Sequence, residues 1–277
     1  MSKTLIQVGC NVGDEYIFDL VVKEKINLCI FIDANKSALE KCKEYQEKFF
    51  EDKDINTRSI TFEYINCAVS NVDASEIELF IPKDDICSSA GSIYLNVPTI
   101  SEKTGDNVTS KEVLEYKAEK FDTIIVQNFS INDIFEDYEL EVIDYLFIDV
   151  EGCDKEIILS MEWDKYFIRN VQFEFTHWDG YQSGGTLGVT LFSLLMMEYK
   201  LHQSSPTDIF ATKTTKELRL PDPYFMEAWR ENSYPSSIQP RLANLSTLGF
   251  EVEESEESDD ERMKLYFETK LKPGIYE

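Results

Sequence analysis

Histidine is scarce in this chain, basic residues are outnumbered and long apolar runs are missing. Of 277 residues, two are histidine and six are cysteine. No cysteines form a C-x-x-C pair, so a zinc site built from clustered Cys and His is not expected. The spacing of Cys10, Cys29, Cys42, Cys67, Cys87 and Cys153 does not suit a disulfide framework in a chain this long. Cys29 and Cys67 sit in apolar runs and read as buried thiols of a reducing compartment. No apolar stretch reaches the roughly 20 residues that a membrane span needs. The opening "MSKTLIQVGC" lacks the basic and apolar regions of a secretory leader, and a cytoplasmic location is the expectation. Lys and Arg number 27 against 53 Asp and Glu, a net charge of −26. Such a surface repels phosphate backbones, so nucleic acid is not an expected partner. Its general effect is solubility; a salt-rich setting or a basic partner is the sharper alternative.

What is present is a core and a rhythm. The hydrophobic fraction of 43% supports a substantial interior, and the length suits one large domain or two small ones. "TLIQVGC", "LCIFIDAN" and "ITFEYINCAVS" read as three buried strands, separated by the amphipathic segments "DEYIFDLVVKE" and "KSALEKCKEYQEKFFED". A looser region runs from about Asn71 to Lys120. Then come "FDTIIVQNFS" as an edge strand, "SINDIFEDY" as a short helix, "IDYLFIDVEG" as a buried strand and "CDKEIILSMEW" as a helix. "VQFEFTHWDG" reads as a strand and "LFSLLMMEYK" as a helix with Met196 and Met197 filling core. "KLHQSS" and "TDIFATK" form the arms of a hairpin. This alternation argues for an α/β fold, a doubly wound parallel sheet with its ligand crevice at the carboxyl ends of the strands. No internal repeat is visible.

The first strand runs straight into a turn, Gly9-Cys10-Asn11-Val12-Gly13, with a helix beyond it. Glycine at a strand end permits backbone angles closed to other residues and lets a ligand approach the chain. Asp33 closes the second strand 20 residues after Gly13, and its two oxygens can accept the hydroxyls of an adenosine ribose. A dinucleotide fingerprint needs G-x-G-x-x-G, but Asn11 holds the middle position here and Asp14 and Glu15 open the helix. Carboxylates there repel a pyrophosphate and suit a sulfonium and an ammonium group, favouring S-adenosylmethionine over NAD.

The most specific stretch is "YLFIDVEGCDKEIILSMEW", where an apolar strand ends in Asp149, Val150, Glu151 and Gly152 before a helix. Together with "VGCNVG", "IDANKSAL", "NCAVSN", "VQFEFTH" and "LHQSSPTDIFATK", it resembles the FkbM-type methyltransferases, class I S-adenosylmethionine-dependent O-methyltransferases, over roughly residues 4–213. The resemblance implies a Rossmann-like, mostly parallel seven-stranded sheet with its last strand antiparallel. It implies that Gly9, Cys10, Asn11 and Gly13 line the methionine end of the cofactor, that Asp33 with Ala34 beside it holds the ribose, and that Ala68 lies by the adenine. Asp149 would face the sulfonium, and Ser92 would belong to a small-residue loop near the cofactor. Gln7 departs from the family, which carries an acid two residues before the first glycine.

Methyl transfer to a hydroxyl needs a base or a metal. His177 is the first candidate base; a surface histidine at a strand end is the plainer reading of it. Asp149 and Glu151 are the alternative, as base or as partial ligands for a hard cation such as Mg²⁺. Glu151 is equally placed to cap the next helix. Trp178, Asp179 and Tyr181 suit a glycan acceptor, or pack beneath a loop. The expected activity is methylation of a sugar or glycoconjugate hydroxyl, with a glycan or small molecule as acceptor. A non-catalytic S-adenosylmethionine-binding module and a nicotinamide-dependent oxidoreductase are the alternatives. Residues 1–213 form the expected methyltransferase domain. Residues 214–277 form an appendage packing on it, with an acidic loop near 251–261.

Overall fold

The computed structural model describes residues 2–83, 119, 121–150, 153–175, 190–191, 194–195, 197–204 and 208–214. They form ten strands and four named helices: β1 (Thr4–Val8), α1 (Glu15–Glu24), β2 (Leu28–Ile32), α2 (Lys36–Asp52), β3 (Thr61–Ile65), β4 (Ala68–Val69), β5 (Glu76–Pro82), β6 (Phe121–Phe129), α3 (Ile131–Asp137), β7 (Val142–Ile148), α4 (Asp154–Ser160), β8 (Phe167–Glu174), β9 (Tyr199–Gln203) and β10 (Asp208–Lys213). Seven of the strands make a mostly parallel sheet and three make a second sheet. The chain divides into two compact units, Met1–Ile131 with Asp149–Cys153, and Asn132–Ile148 with Asp154–Glu277.

The first unit carries the order β3-β2-β1, all parallel, with Thr4 opposite Leu28 and Leu28 opposite Thr61. Continuous apolar strands such as "LCIFI" are what a sheet covered on both faces requires. Helix α1 starts where Asp14 accepts the Tyr16 N–H at 2.8 Å, and α2 where Asn35 accepts the Ser37 N–H at 3.1 Å. Both helices bury one face: Ile17, Phe18, Leu20 and Val21 on α1, and Ala38, Leu39, Cys42, Phe49 and Phe50 on α2. Phe18 is the knot between them. Its ring lies 5.4–6.2 Å from those of Phe31, Tyr45, Phe49 and Phe50, in tilted and edge-on contacts.

The second unit carries β7-β8-β10-β9. Strands β7 and β8 are parallel, while β10 runs antiparallel to both β8 and β9, the reversed last strand that the resemblance implies. Trp163 is buried; its indole N–H donates to the Ile158 carbonyl at 3.1 Å, and its ring meets Tyr199 edge-on. Asn132 holds the end of α4, donating to the Ser160 carbonyl and accepting from the Glu162 N–H. Arg169 Nε stands 3.0 Å from the largely buried Asp144 carboxylate.

Three sequence expectations are corrected. "ITFEYINCAVS" is two strands, not one. Asn66 breaks it by turning its amide onto the carbonyls of Asp33 and Ala34, so β3 stays in the main sheet while β4 pairs with β6. The loose region holds β5, whose Ile77, Leu79 and Ile81 alternate with Glu76, Glu78 and Phe80. Strand β6 is not an edge: the order β4-β6-β5 puts it in the centre. The hairpin arms are found as expected, and Met197 is buried. The expected appendage of residues 214–277 lies outside the described residues beyond Thr214, as does Met196. Among the described residues, no helix is long and apolar enough to cross a membrane.

Two backbone positions give opposite stability tests. Gly9 has φ of 78°, and a Cβ there would sit 1.7 Å from the Asp149 carbonyl oxygen. Gly9→Ala is expected to cost at least about 3 kcal/mol, lowering Tm by roughly 6–12 °C. Lys25 closes α1 with φ of 56°. Lys25→Gly relieves that left-handed strain and is expected to stabilise by about 1 kcal/mol. Thermal melts of the two variants check both signs.

Candidate functional site

The carboxyl ends of β1 and β2 are joined by backbone before any side chain acts. The Ile32 carbonyl accepts the N–H groups of both Gly9 (2.9 Å) and Cys10 (3.1 Å). The turn closes when Gly13 N–H reaches the Cys10 carbonyl at 2.9 Å. Asn11 sits between in the left-handed region, φ 47°, which asparagine tolerates better than most residues. Asp149 N–H donates to the Val8 carbonyl at 2.9 Å, so Asp149 stands beside the turn. The glycines are therefore structural as well as permissive. Gly9 makes room for the Asp149 backbone, and Gly13 lets Tyr45 and Phe18 approach a would-be Cβ to 3.1–3.2 Å.

Asp33 is the central side chain. Its Oδ2 accepts the Asn11 N–H at 2.7 Å and its Oδ1 accepts the Asn35 N–H at 2.8 Å. One carboxylate thus ties the glycine turn to the start of α2. Burial pushes its carboxyl above the usual range, and the N–H groups of Asn35 and Asn11 pull it back. Each oxygen, expected from the sequence to serve ribose hydroxyls, accepts one backbone N–H here and keeps a second lone pair.

Two recesses of the first unit meet at Gly9, Asn11 and Asp149. One is a narrow slot of about 70 Å³, with Asp33, Ala34, Ala68, Leu79 and Cys153 in its walls. The other is a wide groove of about 590 Å³ with Gln7, Asp14, Glu15, Lys41 and Tyr45 in its walls. Gln7 Oε1 and Asn11 Oδ1 are buried here with no hydrogen-bond partner. A buried acceptor left unpaired is costly, and these two are matched to a ligand that brings N–H donors. The acids beside them favour a cationic donor.

Cys10 is buried, and its thiol is raised far above the ordinary range by its contact with the Cys42 thiol, by burial and by nearby charge. Burial pushes Cys67 up to about 12, with the Asp33 charge adding to it, and burial alone does the same for Cys29. These thiols are protonated packing groups at neutral pH, as the sequence predicts for Cys29 and Cys67.

The structure brings together Gly9, Cys10, Asn11, Gly13, Asp33, Ala34, Ala68 and Asp149 from the expected set. Asp149 is exposed at the junction. His177, Glu151 and Ser92 lie outside the described residues, as do Trp178, Asp179 and Tyr181. Among the described residues, no group of three or more His, Cys, Asp or Glu is arranged to hold a metal ion. Leu79 and Cys153 line the slot without having been expected there. The alternation of β5 is the signal that points to Leu79; nothing local marks Cys153.

Residues 2–204 match the family described as the methyltransferase FkbM domain. Among solved structures, the chain is similar to a methyltransferase FkbM from Methylobacillus flagellatus KT, at 12% identity and a TM-score of 0.40. That match covers 76% of this chain and 43% of the other, so the chain spans less than half the length of that protein. It is also similar to M. capricolum TrmK in complex with S-adenosyl-homocysteine, at 13% identity and a TM-score of 0.31, covering 89% of this chain and 80% of that one. No curated protein matches. With the family match running through nearly three-quarters of its length, the chain belongs to the FkbM methyltransferase domain family.

Proposed function

We propose that the chain is an S-adenosylmethionine-dependent O-methyltransferase acting on a sugar or glycoconjugate hydroxyl. The observation that carries the cofactor is the pair of joined recesses, a narrow slot beside Asp33 and a wider groove holding the unpaired acceptors of Gln7 and Asn11. The slot suits the adenosine half, with the free lone pairs of Asp33 turned to the ribose. The groove suits the amino-acid half, with Gln7 Oε1 and Asn11 Oδ1 accepting from its ammonium. Asp14 and Glu15 at the groove would repel a pyrophosphate, which weighs against the nicotinamide reading.

When bound, S-adenosylmethionine supplies a methyl group made electrophilic by its sulfonium. The protein aligns the acceptor oxygen for an in-line displacement, in which the oxygen–carbon bond forms as the carbon–sulfur bond breaks. His177 takes the hydroxyl proton in this scheme, with Asp149 and Glu151 as the alternative base. Trp178 and Tyr181 offer faces on which a sugar ring stacks, and Asp179 accepts its hydroxyls. We assign residues 1–213 to the transferase domain and 214–277 to an appendage on it. A cytoplasmic setting accords with five buried thiols that form no disulfide.

A non-catalytic cofactor-binding module is the second reading. It is favoured by Gln7, which faces the groove without the charge of a carboxylate.

Two experiments test these assignments. Calorimetry with S-adenosylhomocysteine is expected to show binding by the parent and about 10- to 100-fold weaker binding by Asp33→Ala, the loss expected of charge-assisted hydrogen bonds. Equal affinity in the two proteins would remove Asp33 from the site. Methyl-transfer assays over a panel of glycans and small hydroxyl compounds are expected to show turnover that falls roughly 10²- to 10⁴-fold in His177→Ala, with S-adenosylhomocysteine affinity unchanged. Cofactor binding with no turnover on any acceptor would favour the module.

A further inference from the structure

The second sheet already lends the slot Ala68 and Val69 of β4, and a residue of its far strand β5 reaches the slot as well. We propose that Leu79 on β5 roofs the base-binding half of that slot and sets how closely an adenine ring is held, a role that rests on the proposed S-adenosylmethionine site. Leu79 is 3% exposed and packs in one apolar cluster with Ala68 and Val126, against which the partly buried Ala34 also packs. Ala34 and Ala68 are themselves slot walls, so the cluster and the slot share a boundary. Small side chains at 34 and 68 leave flat space there. A branched side chain above them closes it, which is the geometry a purine face takes up by dispersion and apolar burial.

The register of β5 decides whether Leu79 points into the slot. A slip of one residue would turn Leu79 away and bring Glu78 or Phe80 inward. Asn128 on β6 guards that register. Its buried amide donates to the carbonyls of Val72 and Ala74, both at 3.0 Å, and accepts from the Ser70 hydroxyl at 2.8 Å. Its backbone N–H donates to the Ser75 carbonyl at 2.9 Å. The link from β4 to β5 is thus pinned on one side chain, and Leu79 falls opposite Ile124 as a result. Asn128 is a positioning residue, and Leu79 is the contact.

The test uses the full chain with ¹³C-methyl-labelled leucine, adenosine and S-adenosylhomocysteine as probes, and Leu79→Met to assign the Leu79 resonance. Saturating adenosine is expected to move the Leu79 methyl signals upfield by the ring current of a base lying beneath them, which a leucine serving only as core would not show. Leu79→Ala is expected to weaken both probes roughly 5- to 30-fold, by loss of apolar contact. Ile125→Ala, at an exposed position of the neighbouring strand, is expected to leave both unchanged. Parent protein that binds either probe with still Leu79 signals, or Leu79→Ala that binds as the parent does, overturns the roof and leaves the cofactor assignment standing. Parent protein that binds neither probe overturns the cofactor assignment and the roof with it.

Discussion

The candidate site depends on one carboxylate accepting two backbone N–H groups. Asp33 holds Asn11 with one oxygen and Asn35 with the other, at 2.7 and 2.8 Å. The first bond stabilises a left-handed residue inside the glycine turn; the second sets the entry to α2. Burial opposes the charge on Asp33, and those two donors offset it. A turn that supplies its own N–H groups to an acid at the neighbouring strand end is shaped before any ligand arrives. The ordering entropy of the loop is then met by folding and does not fall on binding.

Around that tie, each wall of the site comes from a different kind of constraint. Gly9 is there because the Asp149 carbonyl needs the space of a side chain. Gly13 is there because the aromatic knot of Phe18 and Tyr45 crowds the turn from beneath. Asn66 ends β3 by bonding to carbonyls at the end of β2, which sends the chain into the second sheet. Packing, backbone geometry and polar satisfaction therefore all favour the same recess. The two acceptors left over, on Gln7 and Asn11, are the places where folding alone does not complete the hydrogen bonding.

Much of this was legible in the sequence, because the signals are local. An apolar run, a glycine pair and an acid closing the next apolar run identify the β1–α1–β2 unit and Asp33. The antiparallel hairpin at the end could be read from its own residues. What could not be read depends on partners far along the chain. The need for glycine at position 9 comes from Asp149. The split at Asn66 comes from carbonyls at 33 and 34. The central place of β6 follows from β4 and β5, which flank it only in the fold. Strand β5 was readable in principle, since "EIELFI" alternates, but its flanks carry no helical rhythm to frame it. Cys153 enters the slot wall only because the chain returns there from β7.

The buried thiols have a consequence of another kind. Cys10, Cys29, Cys42, Cys67 and Cys153 are all outside any disulfide and almost wholly enclosed, and all five belong to the unit that carries the recess. Cys29 and Cys42 line neither recess and are fully buried, so an alkylating reagent in the surrounding water reaches them only when that unit opens. The speed at which they become labelled is therefore a clock for its breathing, and any compound that settles beside the first strand will slow it.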